Sequence, residues 1–135
     1  MRRLRSVVGA VAAGALLAVG GTSGVGWAQA KWDSPAAEKA KKNPVARTKD
    51  SVEAGGKIAK QNCAPCHGEK GKGDGPAAAA LPKKAADWTS KLVQDETDGA
   101  LFWKITMGNA PMPPWQSLPE KDRWNLVNYI RTLKK

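Results

Sequence analysis

The chain reads as all-α, and three observations carry that reading. Apolar residues recur at helical spacing in residues 52–62, 101–107 and 124–133, glycine and proline gather between those stretches, and no run alternates with a strand's period of two. There is no internal repeat.

Residues 1–30 read as an export signal. Arg2, Arg3 and Arg5 make a basic start, residues 7–19 form an apolar run, and Ala28-Gln29-Ala30 ends in a small-x-small pattern that a signal peptidase accepts. The run is shorter than the roughly 20 residues of a spanning helix, so cleavage before Lys31 is expected rather than anchoring. Arg2-Arg3 lacks the following residues of a twin-arginine signal. The expected location is the periplasm.

What remains is enough for one small domain, with nineteen basic residues against twelve acidic ones. In an exported protein without a nucleic-acid motif, that excess points to an acidic protein partner rather than to nucleic acid or lipid. Apolar material is scarce, with one Phe and one Tyr, and a domain this small needs something added to fill its core.

Residues 31–49 are rich in Lys, Ala and Pro and are expected to form an extended arm, pinned at most by Trp32. The domain proper is expected over residues 50–135. Its first helix starts near Asp50 or Ser51, where Asp50 and Glu53 have capping-box spacing, and runs into Cys63. Residues 68–75 hold too many glycines for regular structure and lead to Pro76, a loop. Residues 77–84 can form a weak helical turn, followed by a loop around Trp88. Asp98 can cap a helix containing Leu101, Phe102, Ile105 and Met107, which Gly108 ends. Pro111, Pro113 and Pro114 make residues 109–114 a stiff loop. Ser117 with Glu120, or Pro119 as first helical residue, opens a final helix whose stripe includes Trp124, Val127, Ile130 and Leu133.

The chemistry concentrates in Cys63-Ala64-Pro65-Cys66-His67, the C-x-x-C-H spacing of c-type haem attachment. Two thiols separated by two residues can reach the two vinyl groups along one side of a porphyrin, and the next residue, His67, is carried under the iron. Three other readings fit less well. A Cys63–Cys66 disulfide closes a loop too short to stabilise much. A zinc site needs more ligands than two Cys and the only His. A thioredoxin-like pair needs a βαβ setting.

With His67 on one face, a second histidine ligand is excluded within the chain, and the sixth position falls to Met, Lys, water or nothing. Once Met1 leaves with the signal, Met107 and Met112 remain. Met112 lies among prolines that restrict its loop and is expected to be the ligand, whereas Met107 sits at helical spacing from Trp103 and is expected to pack in the core.

Over residues 51–135 the chain resembles class I c-type cytochromes, the soluble monohaem electron carriers. Gly55, the Asn62-to-Gly68 stretch around the haem motif, the loop of residues 71–76, Met112-Pro113, and a last helix with Trp124 and Tyr129 stand in that family's order. The resemblance implies a cytochrome c fold of three to five helices around one covalently attached haem c, with first and last helices crossing where Gly55 receives Tyr129. It also implies that the Pro76 carbonyl accepts the hydrogen bond of the second His67 ring nitrogen. Trp88 is either a hydrogen-bond donor to a haem propionate or a packing residue. Where many members carry an aromatic residue four positions before the first Cys, this chain has Ala59, so Phe102 or Trp103 is expected to fill the space.

The function implied is that of a one-electron carrier between respiratory redox partners, monomeric and not an enzyme. Its haem edge would be ringed by Lys70, Lys72, Lys83 and Lys84. Asp95, Glu96 and Asp98, close to a helix start, are expected to be solvated surface. The rival functions are a dedicated haem subunit of a periplasmic oxidoreductase complex, and a haem enzyme or ligand sensor with an open iron position.

Overall fold

Thr48, with extended backbone and a hydroxyl that accepts from the Ser51 amide at 3.2 Å, starts the first long helix, α2 (Lys49–Ile58). In the computed structural model, which describes residues 32–135, the helix therefore begins just ahead of the expected Asp50–Glu53 box. Asp50 instead sits in the first turn, where its charge faces the positive helix end. The shorter helix α1 (Ala36–Lys39) precedes it. The expected signal segment lies outside the described residues, and none of the described helices is long and apolar enough to cross a membrane.

The helical path continues past Ile58 through one underwound π turn, Ala59–Cys63, into α3 (Ala64–His67), and stops at Gly68. A π turn shifts the phase of a helix face, and turns of this kind frequently mark functional sites. Here it leads into the motif, with Cys63 and His67 both buried.

A 3₁₀ turn, Ala78–Ala80, and the short α4 (Lys91–Gln94) follow, then α5 (Asp98–Met107) and α6 (Glu120–Thr132). The cap of α5 is Thr97, whose hydroxyl accepts from the Ala100 amide, one residue before the expected Asp98. Pro119 occupies the N-cap of α6. Among the described residues there is no strand, only an isolated bridge between Asn109 and Met112.

The core lies where α2 and α5 pack on α6. Leu126 and Val127 of α6 are sealed from solvent, and each such side chain contributes about 1.5–3 kcal/mol by burial. Phe102 of α5 stacks on Trp124 of α6 with ring centroids 3.9 Å apart. The α2–α6 crossing is too close for a side chain at Gly55, because a Cβ there would lie 2.1 Å from the Asn125 carbonyl oxygen and 2.9 Å from the Tyr129 Cβ. The Tyr129 ring lies beside Gly56, at the expected crossing of first and last long helices.

Residues 32–48 depart from the extended arm expected of them. They belong to the same compact unit as the rest, Lys31–Lys135, and α1 packs on α5. Asn43 donates to the Trp124 carbonyl and to Asn128 Oδ1, while buried Asn128 donates to the Val45 carbonyl and to Ser51 Oγ at 2.7 Å. The segment is a strap laid across the last helix, held by amide hydrogen bonds instead of an apolar stripe.

Candidate functional site

Four residues separated in sequence line one cavity of about 470 Å³: Cys63, Cys66, His67 and Met112. Each wall has a distinct origin. Cys63 is the last residue of the π turn, and Cys66 and His67 follow within α3. The backbone beyond bends back on the motif, with the amides of Gly73, Gly75 and Ala77 donating to the carbonyls of His67, Cys66 and Pro65.

That return explains one correction. Pro76, expected to present its carbonyl to His67, is an exposed residue in the stretch running along the carbonyl end of α3. The chain comes back to the imidazole only at Ala86, whose carbonyl oxygen lies 3.0 Å from His67 Nδ1. A carbonyl only accepts, so Nδ1 carries the proton and Nε2 keeps its lone pair for a metal. Burial pushes the His67 pKa down, opposed by the Ala86 contact, which suits a neutral ligand imidazole.

Trp88 lines the cavity with its indole stacked on the imidazole, centroids 4.4 Å apart and planes at 23°, while its amide donates to the Gly71 carbonyl. Of its two expected roles, packing is the one this geometry displays, and its packing partner is His67.

Across the cavity, Met112 sits in a tight loop. Its amide and carbonyl exchange hydrogen bonds of 3.0 and 2.9 Å with Asn109, and the Trp115 amide donates to the Ile105 carbonyl, closing the loop onto α5. Met107 does not line the cavity. It is 47% exposed at the end of α5 and approached by the Gln116 amide, so the core packing expected of it is not what occurs. Phe102 and Trp103 are absent from the lining as well, and Leu101, Ile105, Trp115 and Leu126 provide the apolar wall. Among the expected lysines, Lys83 and Lys84 reach the cavity, whereas Lys70 and Lys72 do not.

The residues fit a covalently attached haem better than the competing chemistries. Burial, followed by the charge of Cys66, pushes the Cys63 pKa up to about 11, which disfavours the thiolate that a zinc site or an exchanging dithiol requires. Among the described residues no group of three His, Cys, Asp or Glu side chains converges to hold a metal ion. The large apolar cavity instead offers two thiols, one neutral imidazole and one thioether.

Sequence reasoning missed Ala86, which acts through a backbone carbonyl, and it missed polar and aromatic residues of the lining, among them Trp32, Glu96 and Lys104. Glu96, expected as solvated surface, faces the cavity.

Comparison with known proteins points to the same cofactor class. Residues 50–130 match the family model "Cytochrome C oxidase, cbb3-type, subunit III". No curated protein matches. Among solved structures, the chain is similar to one from the Kuenenia stuttgartiensis reducing HAO-like protein complex Kustc0457/Kustc0458, with 32% identity and a TM-score of 0.61, covering 68% of this chain. It spans 47% of that chain, about half its length. A second similar structure is the KustC0563 c-type cytochrome, at 25% identity and a TM-score of 0.52, covering 60% of this chain and 98% of that one. The cysteine pair with its adjacent histidine, the helical cavity and the match over more than half the sequence lead to one assignment: the chain belongs to the cytochrome c family described as cbb3-type oxidase subunit III, and its cofactor is haem c.

Proposed function

We propose that the protein is a periplasmic one-electron carrier, whose haem would be attached through Cys63 and Cys66 and whose iron would be held by His67 and Met112. The observation that carries this is the convergence of those four side chains on one cavity.

When bound, the haem supplies a one-electron iron couple. The chain's own residues do the rest. Ala86 fixes the proton on His67 Nδ1, and Trp88 restricts the ring by stacking. The Asn109–Met112 hydrogen bonds hold the thioether loop in place, so the Met112 sulfur would be offered to the iron from a fixed position and reorganisation would stay small. A thioether ligand favours the ferrous state and raises the potential. Leu101, Ile105 and Leu126 keep water away, and Lys83 and Lys84 at the cavity supply positive charge for docking an acidic partner.

Redox titration of the purified protein tests this reading. A single one-electron wave is expected, with no carbon monoxide binding to the reduced form. Rapid carbon monoxide binding would identify an open iron position and favour an enzyme or sensor. With an acidic partner, the association rate should fall steeply as salt rises.

A second reading, a haem subunit held within an oxidoreductase complex, is favoured by the similarity to a chain of a reducing HAO-like protein complex. Recovery of the native protein as a free monomer supports the diffusing carrier. Recovery in a stable assembly supports the subunit.

A further inference from the structure

Glu96 lies two residues before the start of α5 and Lys104 lies in its last turn, yet their side chains meet. Lys104 Nζ lies 2.5 Å from Glu96 Oε1, and the two side chains are only 16% and 24% exposed. The neighbouring Lys91–Asp95 pair, at 86% and 56%, is by contrast an ordinary surface pair.

Both Glu96 and Lys104 line the haem cavity, and so does Trp32. The Lys104 ammonium stands 5.2 Å from the Trp32 ring centroid, within cation–π range. Trp32 comes from the strap, outside the segment that matches the family. The Glu96 backbone is tied down by the Arg131 guanidinium, which also bonds Asp98. The second carboxylate oxygen, Glu96 Oε2, is sealed from solvent without a protein hydrogen-bond partner.

A half-buried ion pair with one unsatisfied oxygen is a poor device for stability alone, since its desolvation offsets much of its Coulomb attraction. Beside a redox cofactor the same arrangement has a second effect. Reduction adds one negative charge to the iron centre, so a nearby cation raises the potential and a nearby anion lowers it. Exclusion of water strengthens both influences.

We propose that the Lys104–Glu96 pair, shielded from water by Trp32 of the N-terminal strap, is a potential-setting element of the haem cavity. The inference rests on the haem assignment above. These residues act through the field they exert, not as iron ligands.

Spectroelectrochemical titration of the holoprotein at fixed pH and ionic strength tests it. Lys104→Gln should lower the midpoint potential and Glu96→Gln should raise it. The double variant and Lys104→Arg should stay near wild type, and the ferric spectrum should not change in any of them. In a Trp32→Ala background, the upward shift from Glu96→Gln should shrink as water enters. If Lys104→Gln fails to fold, the rise in Glu96→Gln and the wild-type value in Lys104→Arg still decide the matter. Potentials unmoved by either neutralisation, or moved the same way by both, would overturn the proposal while leaving the haem assignment intact. A wild-type protein without covalent haem would overturn the assignment itself.

Discussion

The two faces of the cavity are built by opposite means. On the histidine face, His67 ends a continuous helical path, three amides of the following loop bond back to the motif, the Ala86 carbonyl meets Nδ1, and Trp88 stacks on the ring. On the methionine face, Met112 depends on one reciprocal pair of bonds with Asn109 and on a single link from Trp115 to α5. On the proposed ligation, the side that would be permanently attached is over-determined, and the side that would offer Met112 is lightly held. Local opening follows the density of such contacts, so ligand loss should begin on the methionine face.

The largest effect should come from removing what makes the histidine face permanent. Cys63→Ala with Cys66→Ala is expected to leave haem extractable by acidified solvent and the protein largely unfolded, read by intact mass and far-UV circular dichroism. A well-folded, haem-free variant would show that the cofactor is not the core.

Next, Trp88→Ala should destabilise the holoprotein by about 3 kcal/mol, as expected of a buried tryptophan. Because the Ala86 carbonyl remains, denaturant melts should shift while the ligand spectrum stays. Loss of the axial ligands would mean that the histidine face is less redundant than described.

Gly108→Ala perturbs the other face without altering the side chain of a proposed ligand. Gly108 has φ +62°, and a Cβ there would meet Pro113 and Pro114 at 2.6 Å and the Met112 carbonyl at 2.7 Å. Such strain costs about 2 kcal/mol. It should weaken the iron–thioether bond, seen as faster binding of an external ligand to ferric haem, with covalent attachment unaffected.

The smallest effect concerns Asp87, between Ala86 and Trp88. The Thr89 hydroxyl and then its amide hold the Asp87 carboxyl below its usual value of 3.8. A depressed carboxylate contributes stability above its unfolded pKa and loses it as pH falls through the folded one. The difference in melting temperature between wild type and Asp87→Ala should therefore be present at neutral pH, begin to shrink below about pH 4, and disappear only once the pH falls below the depressed folded value.

How much of this was legible in the sequence depended on how local the signal was. Cys63, Cys66 and His67 form a contiguous motif, so their grouping at one cavity was readable, and the apolar stripes of α5 and α6 gave the helices and the all-α class. Gly55 at the helix crossing was readable through the family resemblance. Ala86 was not, because a backbone carbonyl has no side-chain signature, and Pro76 drew the assignment instead. The strap was hidden because its Lys, Ala and Pro resemble a linker while Asn43 finds Asn128 85 positions away. Met107 was misplaced because at the last turn of a helix spacing no longer tells which side the core is on.

The axial pairing is the central claim, and the ferric absorption spectrum of wild type beside Met112→Ala and Met107→Ala tests it most directly. The long-wavelength band of thioether-ligated haem should be present in wild type and Met107→Ala and absent in Met112→Ala. Its survival in Met112→Ala, or its loss in Met107→Ala alone, would contradict the account.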